Sequence, residues 1–220
     1  MKIYFGVVVL LSTLLLAPTT TWAVETSPDT LVNNTAQEVL TIIRRDKDIE
    51  SGNKAKLLDL VEAKILPHFN FTRMTRLAMG KNWRKAAPGQ QREIVDQFRT
   101  LLVRTYYKAL SVYSDHTIKV TPLKNIAENK EVTVKTQVMK SHGQPASINY
   151  SMEKTSNGWK VYDITVAGIS LIINYRSSFN SQIRKGGIEG LIKTLTEKNR
   201  TLDAKDKKES AALVKQLMTT

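Results

Sequence analysis

The side chains that most often carry catalysis or bind metals are few in this chain and lie far apart. Its 220 residues include three histidines and no cysteine. His68, His116 and His142 fall in different segments, and none has a second histidine or a carboxylate at metal-ligand spacing. The absence of cysteine excludes thiol catalysis, thiolate metal sites and disulfides. The sequence therefore predicts no catalytic residue, no metal and no cofactor.

One carboxylate is a candidate for chemistry because of its position. Asp163 lies between Tyr162 and Ile164 inside a predicted strand, where an unpaired charge would be costly to bury. In a cavity it would act as a general base, whereas on the solvent face, or paired with Arg176 or another nearby base, it would be structural. No histidine or second acid can be assigned beside it. We favour the structural role, and an enzyme with Asp163 as its base remains the less favoured hypothesis.

The elements that would position such residues follow from the spacing of apolar side chains. Helical spacing predicts helices over residues 28–43, 54–65 and 70–79, and a long helix from Pro88 to about residue 114. It returns after Ser170 and is interrupted at Gly186 and Gly187. Between these helical regions the period changes to two, which predicts four strands. These strands cover residues 117–123, 131–140, 146–154 and 159–166.

Short polar connections between the strands favour an antiparallel meander with one apolar and one polar face. Helices before and after the meander would cover its apolar face. The chain is therefore predicted to form one α+β domain with a four-stranded antiparallel sheet.

Positive charge is concentrated between residues 70 and 110. The whole chain carries a net charge of +13, and this stretch holds nine basic residues against Glu93 and Asp96. Two interpretations of this basic stretch stay open. It is either a docking surface for an acidic partner or anionic head groups, or the solvated side of two helices. We favour docking because a merely solvated face would mix signs. The predicted docking residues are Arg73, Arg76, Lys81, Arg84 and Lys85.

The first 23 residues predict export from the cytoplasm. Lys2 is followed by an apolar run over residues 3–16, and Thr21-Trp22-Ala23 supplies small residues for signal peptidase cleavage after Ala23. The run is too short to span a bilayer, which needs about 20 residues. Export argues against nucleic acid as the partner of the basic surface. We divide the chain into a signal peptide at 1–23, one domain at 24–198 and a charged C-terminal tail at 199–220.

Two blocks of the sequence resemble the MlaC family, also called the toluene-tolerance family. The first contains NWRKA at 82–86 and LLVRTY at 101–106. The second contains GWKVYDI at 158–164, VAGISL at 166–171 and NYRSSF at 174–179. The resemblance covers roughly residues 29–198. Members of the family are periplasmic phospholipid-binding proteins of the system that maintains outer-membrane lipid asymmetry.

The resemblance implies a soluble periplasmic carrier that holds a glycerophospholipid by its acyl chains, in an apolar cavity between sheet and helices. It implies exchange of that cargo with an outer-membrane lipoprotein–porin complex and with the MCE-domain subunit of an inner-membrane ABC transporter, with transient membrane contact. A second hypothesis is an adaptor with a filled core that docks through its basic face. The residues predicted to line the cavity are Phe98, Leu102, Tyr106, Val134, Val138, Ile148, Tyr150, Ile164, Val166, Ile169, Leu171 and Phe179.

Overall fold

The computed structural model describes residues 26–112, 116–124, 126, 128–139 and 145–217. The predicted signal peptide and Ala23 lie outside the described residues. Among the described residues, no helix combines the length and the apolarity needed to cross a membrane.

Local capping explains where the first helices begin and end. Helix α1 (Pro28–Arg45) begins with proline in its first turn, where a missing N–H costs nothing. The Asp46 side chain then accepts hydrogen bonds from the first turn of α2 (Lys47–Glu50), and Asn53 caps α3 (Lys54–Leu60). A π-helical turn (Val61–Ile65) and a 3-10 turn (Leu66–His68) lead from α3 towards the sheet.

The two helices that carry the basic stretch follow. Asn70 caps α4 (Phe71–Met79), and Gly80 ends that helix with a φ of +56°, which a residue with a Cβ adopts only with strain. A 3-10 segment (Gly80–Lys85) connects α4 to the long helix α5 (Pro88–Val112). The predicted helices are therefore present with small shifts at their ends.

The sheet is an antiparallel meander in the order β1-β2-β3-β4-β5. It has five strands where the sequence predicts four, because the chain turns at Ala167-Gly168 and pairs a short extra strand with the end of β4. Positive φ at both turn residues gives the tight reversal that a two-residue hairpin needs. The strands are β1 (Thr117–Val120), β2 (Glu131–Met139), β3 (Ala146–Thr155), β4 (Gly158–Val166) and β5 (Ile169–Ser170).

Strand register places the apolar side chains of the sheet on one face. Val134 pairs with Tyr150, which pairs with Ile164 on its other side. Ile148 is likewise paired with Thr136 and Val166. We call this surface the inner face. Helices α1, α4 and α6 (Leu171–Leu217) contact the sheet, whereas α5 packs on α3, α4 and α6.

Helix α6 (Leu171–Leu217) is broken at Gly186 and Gly187, where the backbone leaves the helical region. The first arm comprises residues 171–185 and the second arm residues 188–217. The second arm runs parallel to α5, as the contacts Gln90–Glu189 and Arg104–Asp203 require. The boundary predicted at Lys198 falls inside this arm, and the helix continues to Leu217, within the segment assigned to a charged tail.

Polar contacts hold the end of the second arm against α5 and α3. Asp206 is 6% exposed, accepts a hydrogen bond from the Tyr107 hydroxyl at 3.0 Å and pairs with Lys54 at 2.8 Å. Burial acts to raise its pKa, but the hydrogen bonds from Lys54 and Tyr107 hold the pKa of Asp206 below its ordinary value. These contacts attach the first part of the charged segment to α5 and α3.

Candidate functional site

Apolar side chains remain accessible at one end of the inner face. Val166 is 47% exposed and Ile169, its cross-strand partner, is 68% exposed. Ile148, Tyr150 and Ile164 behind them are half-buried. We call these five residues the open strip. The strip therefore grades from two exposed side chains at the end of the sheet to partly buried ones, of which Tyr150 and Ile164 pack against the buried sheet cluster.

The packed part of the inner face adjoins the open strip, since Val134 pairs with Tyr150, and it continues to the far ends of β3 and β4. Val134, Met152, Trp159 and Val161 form a buried cluster there, joined by Leu31 and Val32 of α1. A second cluster joins α4, α5 and α6, and a third joins α1, α2, α3 and α5. The apolar interior is therefore divided into three clusters.

Tyr150 shows how deep the open strip reaches. Its side chain keeps accessible surface, yet burial raises the pKa of its hydroxyl, which also interacts with the Thr136 side chain. The Thr136 hydroxyl donates to the Ile148 carbonyl at 2.6 Å. Tyr150 thus presents an apolar ring along the strip with its polar end satisfied within the sheet.

Five of the predicted lining residues are buried side chains rather than exposed surface. Phe98 and Phe179 lie edge to face at 5.0 Å, and Leu102 belongs to the same helical cluster. Val134 is fully buried among sheet residues, and Val138 is 4% exposed. The remaining helical candidates keep accessible surface, with Tyr106 46% exposed and Leu171 half-buried.

The structure also contains a pocket that the sequence analysis did not predict. It has a volume of about 610 Å³ and lies between α5 and the two arms of α6. Tyr175 lines this pocket, and burial raises the pKa of its hydroxyl to about 12. The Tyr106 hydroxyl, which is hydrogen-bonded to Tyr175, acts in the same direction. No local signal marks this pocket, because its walls come from segments about 90 residues apart. They are Leu101, Thr105, Tyr175, Lys193, Thr194, Glu197, Lys198, Thr201 and Leu202.

Arg73 occupies an internal position that differs from the docking surface predicted for it. Its guanidinium pairs with Glu131 and Glu153, both at 2.6 Å, and lies 3.7 Å from the centre of the Tyr162 ring. The Arg73 side chain is only 15% exposed. It joins α4 to β2, β3 and β4, because the helical face that carries it is turned towards the sheet.

The other four predicted docking residues are exposed. Arg76, Lys81, Arg84 and Lys85 project from α4 and the following 3-10 segment. The ion pairs found among the described residues leave these four side chains without an acidic partner. They form a basic surface in the predicted location, without Arg73.

Asp163 caps a helix. One carboxylate oxygen accepts a hydrogen bond from the Ser170 hydroxyl at 2.6 Å, and the other accepts the Ile172 backbone N–H at 3.1 Å. Ile172 lies in the first turn of α6, where backbone N–H groups lack partners within the helix. Its partners are therefore a hydroxyl and a backbone amide rather than the predicted Arg176. Among the described residues, no group of three or more histidine, aspartate or glutamate side chains is placed to hold a metal.

The comparisons with known proteins agree with one another. The profile of the MlaC protein family matches residues 33–197. The intermembrane phospholipid transport system binding protein MlaC of Haemophilus influenzae is 24% identical over 87% of this chain and 91% of its own length. A toluene tolerance protein of Pseudomonas putida is 26% identical over 83% of each chain.

A solved structure supports the same assignment. It is that of a phospholipid-binding protein from Ralstonia solanacearum in complex with a phospholipid. It is 37% identical, superposes with a TM-score of 0.75, and the match covers 81% of this chain and 99% of that one. The family match spans well over half of the sequence, and the fold agrees with it. This chain is a member of the MlaC family.

Proposed function

We propose that this protein is a phospholipid carrier of the bacterial periplasm, with the acyl chains of its cargo lying along the open strip. The observation that carries the proposal is the strip itself, a run of apolar side chains left accessible between sheet and helices. The related proteins described above, one of them in complex with a phospholipid, support this cargo.

The free energy of burying the acyl chains determines how such a carrier would release its cargo. Two acyl chains contain roughly 30 methylenes, and each is worth about 0.8 kcal/mol when removed from water. The gross total exceeds about 20 kcal/mol, the practical ceiling of noncovalent affinity. Spontaneous release into water would therefore be extremely slow. The cargo would be handed over while the carrier is docked, so that its tails pass between apolar surfaces.

Handover of this kind requires partners on both membranes. We infer that the MCE-domain subunit of an inner-membrane ABC transporter and an outer-membrane lipoprotein–porin complex fill this role. The exposed cations Arg76, Lys81, Arg84 and Lys85 would orient the carrier on these partners, since complementary charge accelerates and orients docking.

The proposal is tested by native mass spectrometry of protein purified without detergent, followed by organic extraction. We expect a mass excess that extracts as phospholipid. Substitution Ile148→Arg places a charge on the open strip and should abolish the excess. The matched control Ser147→Arg adds the same charge on the outer face of the same strand and should retain it.

A bare protein mass that stays unchanged after incubation with liposomes would refute the carrier. It would favour the adaptor with a filled core, for which the tightly packed Phe98–Phe179 region would be typical of the whole interior. Retention of lipid by Ile148→Arg, with normal circular dichroism, would place the cargo elsewhere, for which the pocket beside Tyr175 is the alternative.

A further inference from the structure

The exposed large apolar side chains gather at one end of the molecule. Four of them are found among the described residues: Tyr106, Val166, Ile169 and Ile173. Val166 and Ile169 flank the Ala167-Gly168 turn as a cross-strand pair, and Ile173, 65% exposed, lies in the first turn of α6. We call Val166, Ile169 and Ile173 the apolar tip.

Chain topology places Tyr106 at the same end. Helix α5 is followed by β1, whose first residue Thr117 pairs with Met139 at the end of β2. The start of β3 and the end of β4 lie beside the end of β2, because neighbouring strands are antiparallel. The last turns of α5, the β4–β5 turn and the beginning of α6 therefore share one end, which is also the accessible end of the open strip.

The segment that carries the apolar tip is free of carboxylates, and the acids of the facing second arm, Glu197, Asp203 and Asp206, are paired with Arg200, Arg104 and Lys54. No acidic residue occurs from Ile164 to Ile188. Arg176 is exposed one turn after Ile173, and its Nε donates to the Leu77 carbonyl at 2.9 Å, which attaches it to α4, where the neighbouring residue Arg76 is also exposed. The carboxylate nearest in sequence, Asp163, is occupied by Ser170 and the Ile172 amide.

We propose that the apolar tip enters the head-group region of a bilayer that contains anionic phospholipid. Arg176 and Arg76 would contact lipid phosphates while Tyr106 lies at the interface, as amphipathic aromatic rings prefer. The exposed Ile169 beside the turn and the exposed Ile173 on the following helix suit a fluid bilayer, which accepts them without a complementary pocket. The inference rests on the proposed function in one respect: it identifies the surface through which cargo would be exchanged.

The test is co-sedimentation of the full mature chain with vesicles. We expect binding to vesicles of phosphatidylethanolamine with phosphatidylglycerol, and much weaker binding to phosphatidylcholine alone. Ile169→Ser and Ile173→Ser should each weaken binding about tenfold, as expected when most of an exposed isoleucine no longer leaves water. Arg176→Gln should weaken it about fivefold at low salt, with a smaller effect at high salt.

Matched controls separate docking from general effects. Ile169→Leu keeps the apolar side chain and should bind normally, and Lys130→Gln removes a cation at the opposite end of the sheet and should change nothing. Ile169→Trp supplies a second readout: its fluorescence should be quenched by brominated lipid. Unchanged binding of the two serine variants, absence of quenching, or failure of the unmodified protein to bind anionic vesicles would overturn the proposal.

Cargo content distinguishes this inference from the proposed function. The Ile173→Ser variant, whose changed side chain lies outside the open strip, should lose vesicle binding and still show the phospholipid mass excess in native mass spectrometry. Protein that binds anionic vesicles but never carries lipid would refute the carrier function and still support membrane docking by the apolar tip. Protein that carries lipid but does not bind vesicles would refute membrane docking by the apolar tip and leave the carrier function standing.

Discussion

Arg73 and Arg76 provide a sharp test of how the tertiary structure divides the basic stretch. They lie three residues apart on α4, and the sequence analysis assigns both to one docking surface. In the structure, Arg73 is an internal connection between helix and sheet, whereas Arg76 is exposed. We predict that Arg73→Ala destabilises the fold strongly and that Arg76→Ala, the matched control, does not.

The magnitude follows from the contacts of the guanidinium. Removing one partner of a fully buried ion pair costs about 3–5 kcal/mol. Arg73 is 15% and Glu153 18% exposed, so their pair counts as largely buried. Glu131 is 51% exposed, so its pair with Arg73 is discounted for solvent screening. The cation–π contact with Tyr162 adds a smaller part. We expect a loss of about 2–3 kcal/mol for Arg73→Ala and at most about 0.5 kcal/mol for Arg76→Ala.

Thermal unfolding followed by circular dichroism measures the difference. For a chain of this size each kcal/mol lowers Tm by about 2–4 °C, so Arg73→Ala should unfold about 5–10 °C below the unmodified protein. Equal Tm values for the two alanine variants would refute the internal role of Arg73. Reduced partner binding by a fully stable Arg73→Ala protein would instead restore it to the docking surface.

The pH dependence gives an independent check. The hydrogen bond from Arg73, followed by that from Tyr162, holds the pKa of Glu131 below its ordinary value of 4.5. A carboxylate whose pKa is lowered by folding stabilises the folded state fully above the ordinary value. That contribution is lost as pH falls through the lowered value. The Tm difference between the unmodified protein and Arg73→Ala should therefore narrow below about pH 4.5.

Two further variants test the remaining assignments. Asp163→Asn should lower stability by about 0.5–2 kcal/mol, as expected for loss of a helix cap, and leave bound phospholipid unchanged in native mass spectrometry; loss of a catalysed reaction without loss of stability would favour the enzyme hypothesis. The double charge reversal Arg84→Glu and Lys85→Glu should slow lipid transfer to partner complexes while the cargo stays bound, measured with fluorescent phospholipid. Normal transfer by this variant would exclude these two residues from docking.

Sequence periodicity determined the elements of this fold and the face that each one buries. A period of two identified the strands and separated the inner from the outer face, because side chains alternate across a pleated strand. A helical period, with Pro88 and Gly80 as boundaries, located the helices around the sheet. The fifth strand was missed, since Ile169 and Ser170 are too few to display a period.

Tertiary structure decided which other element, if any, packs against each side chain. Phe98 and Tyr106 belong to the apolar pattern of one helix, yet the first is packed against two aromatic rings and the second is 46% exposed. Arg73 and Arg76 differ in the same way. Asp163 is a further example, because its partners, the Ser170 hydroxyl and the Ile172 amide, belong to the two elements that follow its own strand. Periodicity reports the direction in which a side chain points within its own element. Whether another element fills the space it points into depends on contacts between residues far apart in the chain.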